Sequence, residues 1–166
     1  MSTTLWFHSL WGDHALAVVA VALAQGGVLL TVVAFAGAAW RRRSQWGLLV
    51  PFAVGAAVGL ALDLVAGWSY HELRPFVVLG VTPLVAHDPA DNSFPSDHSA
   101  ATAYVAAFLA FVNEPWAVLA IFAALAVGVA RIFCLLHWQQ DVLAGWAIGA
   151  LPGVAAALYW KKRNGG

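Results

Sequence analysis

The sequence predicts an all-α integral membrane protein, a bundle of about five transmembrane helices preceded by an N-terminal interfacial helix. Three observations predict it. Of 166 residues, 62% are hydrophobic and only 10% charged, whereas a soluble domain carries roughly a quarter charged residues. Five apolar stretches approach the length of about 20 residues that a hydrocarbon core requires. The basic residues gather in two clusters, Arg41 to Arg43 and Lys161 to Arg163, each just after an apolar stretch. With no regular repeat and no linker, residues 1–166 read as one domain.

Taken in order, Thr4 to Trp11 is too short to cross, and its Leu5, Trp6, Phe7, Leu10 and Trp11 suit the membrane interface. The first span runs from Leu16 to Trp40. No Lys or Arg precedes Arg41, so this stretch lacks the basic start of a cleaved signal peptide and is read as part of the mature protein. The second span is Trp46 to Gly67. The third, Ser99 to Val112, is short unless it begins at Ser96 with a polar first turn. Asn113-Glu114-Pro115 turns the chain, because proline breaks a helix and disfavours helical geometry in its predecessor. The fourth and fifth spans are Trp116 to Leu136 and Val142 to Trp160. Gly55/Gly59 and Gly145/Gly149 are GxxxG pairs that allow close helix packing. The single Cys134 permits no internal disulfide.

Loop charge sets the orientation. Four crossings separate the two basic clusters, so both lie on one side, which the positive-inside rule makes cytoplasmic. The N-terminus, the loop from Trp68 to Pro95 and the turn from His137 to Asp141 are then external.

Two polar islands interrupt this apolar chain on the external face. One is Phe94-Pro95-Ser96-Asp97-His98-Ser99; the other is Arg131 with His137 and Asp141. Ionisable groups at a hydrocarbon boundary are costly and by default mark function. If helical geometry holds from His137, Asp141 lies on the imidazole's face, where it can hold one ring nitrogen and leave the other to act as nucleophile or base. Arg131 offers a planar fork for phosphate oxygens. A structural Arg131–Asp141 pair is the alternative. Ser96 is a candidate N-cap at a helix start that suits an anion, and His98 in the first turn is placed to protonate a departing oxygen. A plain cap is the alternative there. Arg74, within His71-Glu72-Leu73-Arg74-Pro75-Phe76, adds a third anion-binding group on the same side or serves as an interfacial anchor. His71, His87, Asp88 and Asp91 share one loop, but their spacing is not that of a zinc site, and no metal is expected. Asp63, about one turn inside span two, needs a partner, for which Arg74 or Arg131 is expected.

These residues carry a resemblance. Arg131, His137 and Asp141 fit Arg-x5-His-x3-Asp, Pro95, Ser96 and His98 fit Pro-Ser-x-His, and Arg74-Pro75 end a block that normally reads Lys-x6-Arg-Pro. In these blocks, residues 67–75, 95–98 and 131–141, the chain resembles the type 2 phosphatidic acid phosphatase (PAP2) superfamily. Asp97 at the variable position is similar to the bacterial undecaprenyl-diphosphatase branch. Gly67 stands where the family has its lysine. The resemblance implies a metal-independent phosphatase with no cofactor, in which His137 attacks phosphorus and Asp141 orients it. His98 would protonate the leaving group and later activate water, while Arg74, Arg131 and the Ser96 region would hold phosphoryl oxygens. It further implies a polyprenyl or other lipid phosphate as substrate, with undecaprenyl diphosphate first and phosphatidylglycerophosphate or lipid A as alternatives. The implied place is the bacterial inner membrane, among membrane lipids and without a nucleic-acid partner. A non-catalytic polyprenyl-phosphate binder or transporter is the reading from another class. Charges gathered at one face, with only Thr31 and Gln25 as mid-span polar groups in the cytoplasmic half, favour the enzyme.

Overall fold

A computed structural model describes residues 3–164, and they form helices joined by turns and loops. In chain order these are α1 (Thr3–Ser9), α2 (His14–Gly26), α3 (Val28–Arg41), α4 (Leu49–Ser69), α5 (Pro75–Leu79), α6 (Asp97–Phe111), α7 (Ala117–Phe133) and α8 (Gln139–Arg163). A short 3-10 turn, Trp46–Leu48, leads into α4. Among the described residues, Trp46–Ser69 and Gln139–Arg163 are long and apolar enough to cross a membrane. The α2–α3 pair makes a third if it is one span. Helices α6 and α7, of 15 and 17 residues, are shorter.

The expected first span is broken. Asp13 caps α2 by accepting from the N–H groups of Ala15 and Leu16 at 3.0 and 3.1 Å. At Gly27 the chain bends by 52° into α3. A Cβ on Gly27 would meet a methyl of Val127, so glycine lets the bend nest against α7.

Helix α6 is the hub, touching α3, α4, α7 and α8. Its small residues Ala100, Ala103 and Ala106 are buried. The glycines of α8 make the closest approach: a Cβ on Gly145 would lie 2.5 Å from the carbonyl oxygen of Ser96, and one on Gly153 2.6 Å from that of Tyr104. Gly149, between them, sits directly on the backbone of Ala100. This stripe is the close packing that the GxxxG pattern predicts, and it holds α8 against the polar start of α6. Outward, the helices present Val18, Leu29, Val50, Phe122 and Leu151, all exposed, as a lipid-facing surface would.

The ends are tied by polar and aromatic contacts. Glu114, 5% exposed, pairs with both Arg41 and Arg42 and so joins the α3 end to the α6–α7 turn. At the opposite end α1 lies across α7, with the Phe7 and Phe133 rings 5.8 Å apart and the Trp11 indole donating to the Phe133 carbonyl at 2.9 Å.

Candidate active site

The site assembles where α7 ends, α6 and α8 begin, and the loop after α4 returns. Past Phe133 the chain turns tightly, with Leu135 at φ 57°. The amide of Leu136 bonds back to the Arg131 carbonyl at 3.1 Å, which closes the turn. Arg74, at the N-cap of α5, donates to the Leu136 carbonyl at 2.8 Å, and Phe76 N donates to that of Leu135 at 3.2 Å. The loop that carries one arginine thus holds the turn that carries His137.

His137 precedes α8 rather than lying on it, because that helix starts at Gln139 with Trp138 in extended backbone. Asp141 captures the Trp138 amide at 2.7 Å and accepts from Ser93 Oγ at 2.5 Å. Nδ1 of His137 stands 3.7 Å from Asp141 Oδ2 but only 2.7 Å from the Ser93 carbonyl oxygen. The shorter contact decides the tautomer: Nδ1 donates its proton to Ser93, and Nε2 keeps its lone pair. The direct imidazole–carboxylate bond expected from the i,i+4 spacing is therefore replaced by a bond to the main chain. Asp141 stands one step back, bonded to Ser93 and to the N-terminus of α8.

Nε2 of His137 lies between two cations. Arg131 Nη2 is 3.0 Å away and Arg74 Nη1 3.4 Å. Burial, then Arg131 and Arg74, hold the imidazole well below the ordinary histidine range, so it is neutral at pH 7. Both guanidiniums are buried, at 3% and 7% exposure, and their Nε groups have no protein acceptor. Among the described residues neither makes a salt bridge. Two buried cations without a salt-bridge partner are costly, and an anion placed beside them would offset that cost.

A cavity of about 440 Å³ opens there, lined by Arg74, Arg131, His137, His98, His87 and Gly67 among others. His98, in the first turn of α6, lines the same cavity. Of the six residues expected at the site, Arg74, Arg131, His137 and His98 line the cavity, and Asp141 stands behind His137. Ser96 does not reach it. It occupies the α6 N-cap position, but its hydroxyl accepts from Ser99 Oγ at 3.0 Å and caps no backbone N–H. Its amide donates to the Asp141 carbonyl at 3.1 Å, which pins α6 to α8. His87 lines the cavity where His71 is exposed and does not. Burial, then Arg74 and Arg131, push the His87 imidazole below its usual range.

A second cavity, about 390 Å³ and largely apolar, runs between α4 and α6 past Phe52, Leu60, Tyr104 and Val105. It meets the first at Leu64 and Asp97. Asp63 sits at this junction and faces Asp97 rather than either arginine. The expected Asp63–arginine pair does not form, because both guanidiniums are turned to Leu136, His137 and Ala24 carbonyl or imidazole acceptors.

The comparison with known families rests on this same stretch of chain. The model of the PAP2 superfamily matches residues 46–165. The chain belongs to the PAP2 superfamily. Among curated PAP2 relatives, the putative undecaprenyl-diphosphatase YbjG of Escherichia coli K12 is 30% identical over 74% of this chain and 62% of its own length. The bacitracin transport permease protein BcrC of Bacillus licheniformis is 35% identical over 71% of this chain and 57% of its own. An undecaprenyl-diphosphatase of Sulfolobus acidocaldarius is 29% identical over 61% of this chain and 50% of its own. The chain thus spans between half and under two thirds of the length of these relatives. A solved transmembrane PAP2-type phosphatidylglycerolphosphate phosphatase from Bacillus subtilis superposes with a TM-score of 0.62 at 26% identity, over 90% of this chain and 79% of that one.

Proposed function

We propose that the chain is a lipid diphosphate phosphatase that converts undecaprenyl diphosphate to undecaprenyl phosphate and inorganic phosphate. The observation that carries this reading is the neutral Nε2 of His137 flanked by two buried arginines, in a cavity continuous with an apolar groove. In the first step Nε2 forms a bond to the terminal phosphorus as the bridging P–O bond breaks, and His98, protonated in the complex with the anionic substrate, gives its proton to the departing oxygen. In the second, His98 takes a proton from water, whose oxygen attacks the phosphohistidine and releases phosphate. Arg74 and Arg131 neutralise the equatorial oxygens throughout, which is where phosphoryl transfer draws most of its catalysis.

The reading includes the membrane frame. Five spans, formed by α2–α3, α4, α6, α7 and α8, would leave Arg41 to Arg43 and Lys161 to Arg163 cytoplasmic and the site at the outer face of a bacterial inner membrane. A second reading, phosphatidylglycerophosphate as substrate, is favoured by the solved relative of that specificity.

The deciding experiment measures inorganic phosphate released by purified protein from a panel of lipid phosphates, with and without EDTA, beside His137→Ala. Release from undecaprenyl diphosphate, insensitive to EDTA and absent from the variant, is the expected result. Faster turnover of phosphatidylglycerophosphate would select the second reading. Full activity in His137→Ala would remove the nucleophile assignment.

A further inference from the structure

Two carboxyl oxygens behind the nucleophile are buried without any hydrogen-bond donor, Oε2 of Glu72 and Oδ1 of Asp141. The two side chains are within hydrogen-bonding contact of each other. Their remaining oxygens are already engaged. Oδ2 of Asp141 accepts from Ser93 Oγ and the Trp138 amide, and Oε1 of Glu72 accepts from Gln140 Nε2 at 2.8 Å. Two carboxylates in such contact repel one another, whereas one proton shared between the side chains removes the repulsion and would give the orphan oxygens a partner.

We propose that Glu72 is a positioning residue that carries this proton and donates it as a hydrogen bond to Asp141, holding in place the frame that aims His137. The choice of proton carrier follows from the donors. Asp141 accepts two N–H or O–H bonds on its other oxygen, which favours its charged form, while Glu72 accepts one from an amide. Burial and the Asp141 carboxylate push the Glu72 carboxyl up from its usual range.

Glu72 also binds through its main chain. Its carbonyl accepts from Ser93 N at 2.9 Å, and its amide donates to Asn92 Oδ1 at 2.9 Å. One residue therefore links the loop bearing Arg74, the loop bearing the Ser93 carbonyl, and the first turn of α8. That carbonyl holds Nδ1 of His137, so slack at Glu72 reaches the nucleophile directly. A misplacement of about 1 Å at a reacting group lowers turnover on the order of a hundredfold.

The inference rests on the phosphatase reading, and the test separates the two. Glutamine reproduces the protonated acid: its oxygen can accept from Gln140 and its NH2 can donate to Asp141. Glu72→Gln is expected to keep kcat within about twofold, whereas Glu72→Ala lowers it by about tenfold or more with KM nearly unchanged. An infrared difference spectrum of parent against Glu72→Gln at neutral pH should show the carbonyl stretch of a protonated carboxyl group. The proposal is overturned if glutamine is as damaging as alanine, if alanine retains full kcat, or if the band is absent. The glutamine variant and the spectrum decide the matter even where the alanine variant does not fold. A parent protein that releases no phosphate from any lipid phosphate sinks the functional reading instead, and the spectrum still decides where the proton lies.

Discussion

The carbonyl of Ser93, not the carboxylate of Asp141, holds Nδ1 of His137: the first is 2.7 Å away and the second 3.7 Å. The tautomer with an unprotonated Nε2 is therefore fixed by the main chain. In a triad where a carboxylate fixes the tautomer, replacing it by the amide lowers turnover about 10⁴-fold, as chymotrypsin-type proteases show. Here Asp141→Asn keeps an oxygen to accept from Ser93 Oγ and the Trp138 amide. The expected loss in kcat is about tenfold, and Asp141→Ala, which frees both donors, should lose about tenfold more. Single-turnover phosphate release by the two variants checks this. A loss of a thousandfold or more in the asparagine variant would mean that Asp141 acts on the imidazole directly.

His137 also sets a pH limit. In the proposed mechanism protonation removes the attacking lone pair, so activity should fall as pH drops through the imidazole's own pKa. Burial and the two arginines hold that pKa well below the ordinary value of 6.5, which moves the acid limb downward. The acid limb of the kcat/KM profile, which reports the free enzyme, is therefore expected to lie below 6.5. Arg131→Gln removes the nearer of the two cations and should shift the limb back toward higher pH on whatever activity remains. An acid limb already at the ordinary imidazole value in the parent would contradict the buried, cation-flanked nucleophile.

Gly67 gives a sharper test of the proposed phosphate site. It lines the cavity, and a Cβ there meets nothing nearer than the Phe94 carbonyl at 3.4 Å, with Pro95 and Asn92 beyond. A longer side chain can leave toward the cavity without displacing backbone. Gly67→Lys is expected to fold with little change in stability and to lower KM by about threefold to tenfold, the worth of a partly screened charge contact of roughly 1 kcal/mol. Phosphate or vanadate inhibition should tighten with it. No change in KM or inhibition would place this position outside the anion site.

Much of the site was legible because its side chains are anomalous in their setting. Arg131, His137 and His98 stand out from an apolar run, and they meet at one cavity. What was not legible depends on the main chain or on small rotations. The Ser93 carbonyl leaves no mark in a side-chain pattern, although Ser93 belongs to the polar stretch before α6. The hydroxyl of Ser96 has the right composition for a cap, yet the local geometry gives it to Ser99. Gln25-Gly26-Gly27 lies inside a stretch apolar enough to read as one span, and only its packing on α7 reveals the bend. Asp63 faces another carboxyl because both arginines are drawn to the α7–α8 turn, a competition that no spacing encodes.

The glycine stripe of α8 couples helix packing to the proposed site. A methyl group on Gly149 would run into the carbonyl of Ala100, and backbone cannot yield as a flexible side chain would. The helices must then separate by a fraction of an ångström or more, and overpacking of this kind costs about 1–3 kcal/mol. The displaced segment is the start of α6, which carries His98, and its anchor to Asp141 through the Ser96 amide lies one turn away. Gly149→Ala is therefore expected to lower the melting temperature in detergent and to cut kcat more than KM. Gly59→Ala is the control, because its Cβ meets only a Pro152 ring carbon at 3.3 Å. It should leave both stability and turnover close to the parent, and equal damage from the two variants would detach the α6–α8 contact from the chemistry.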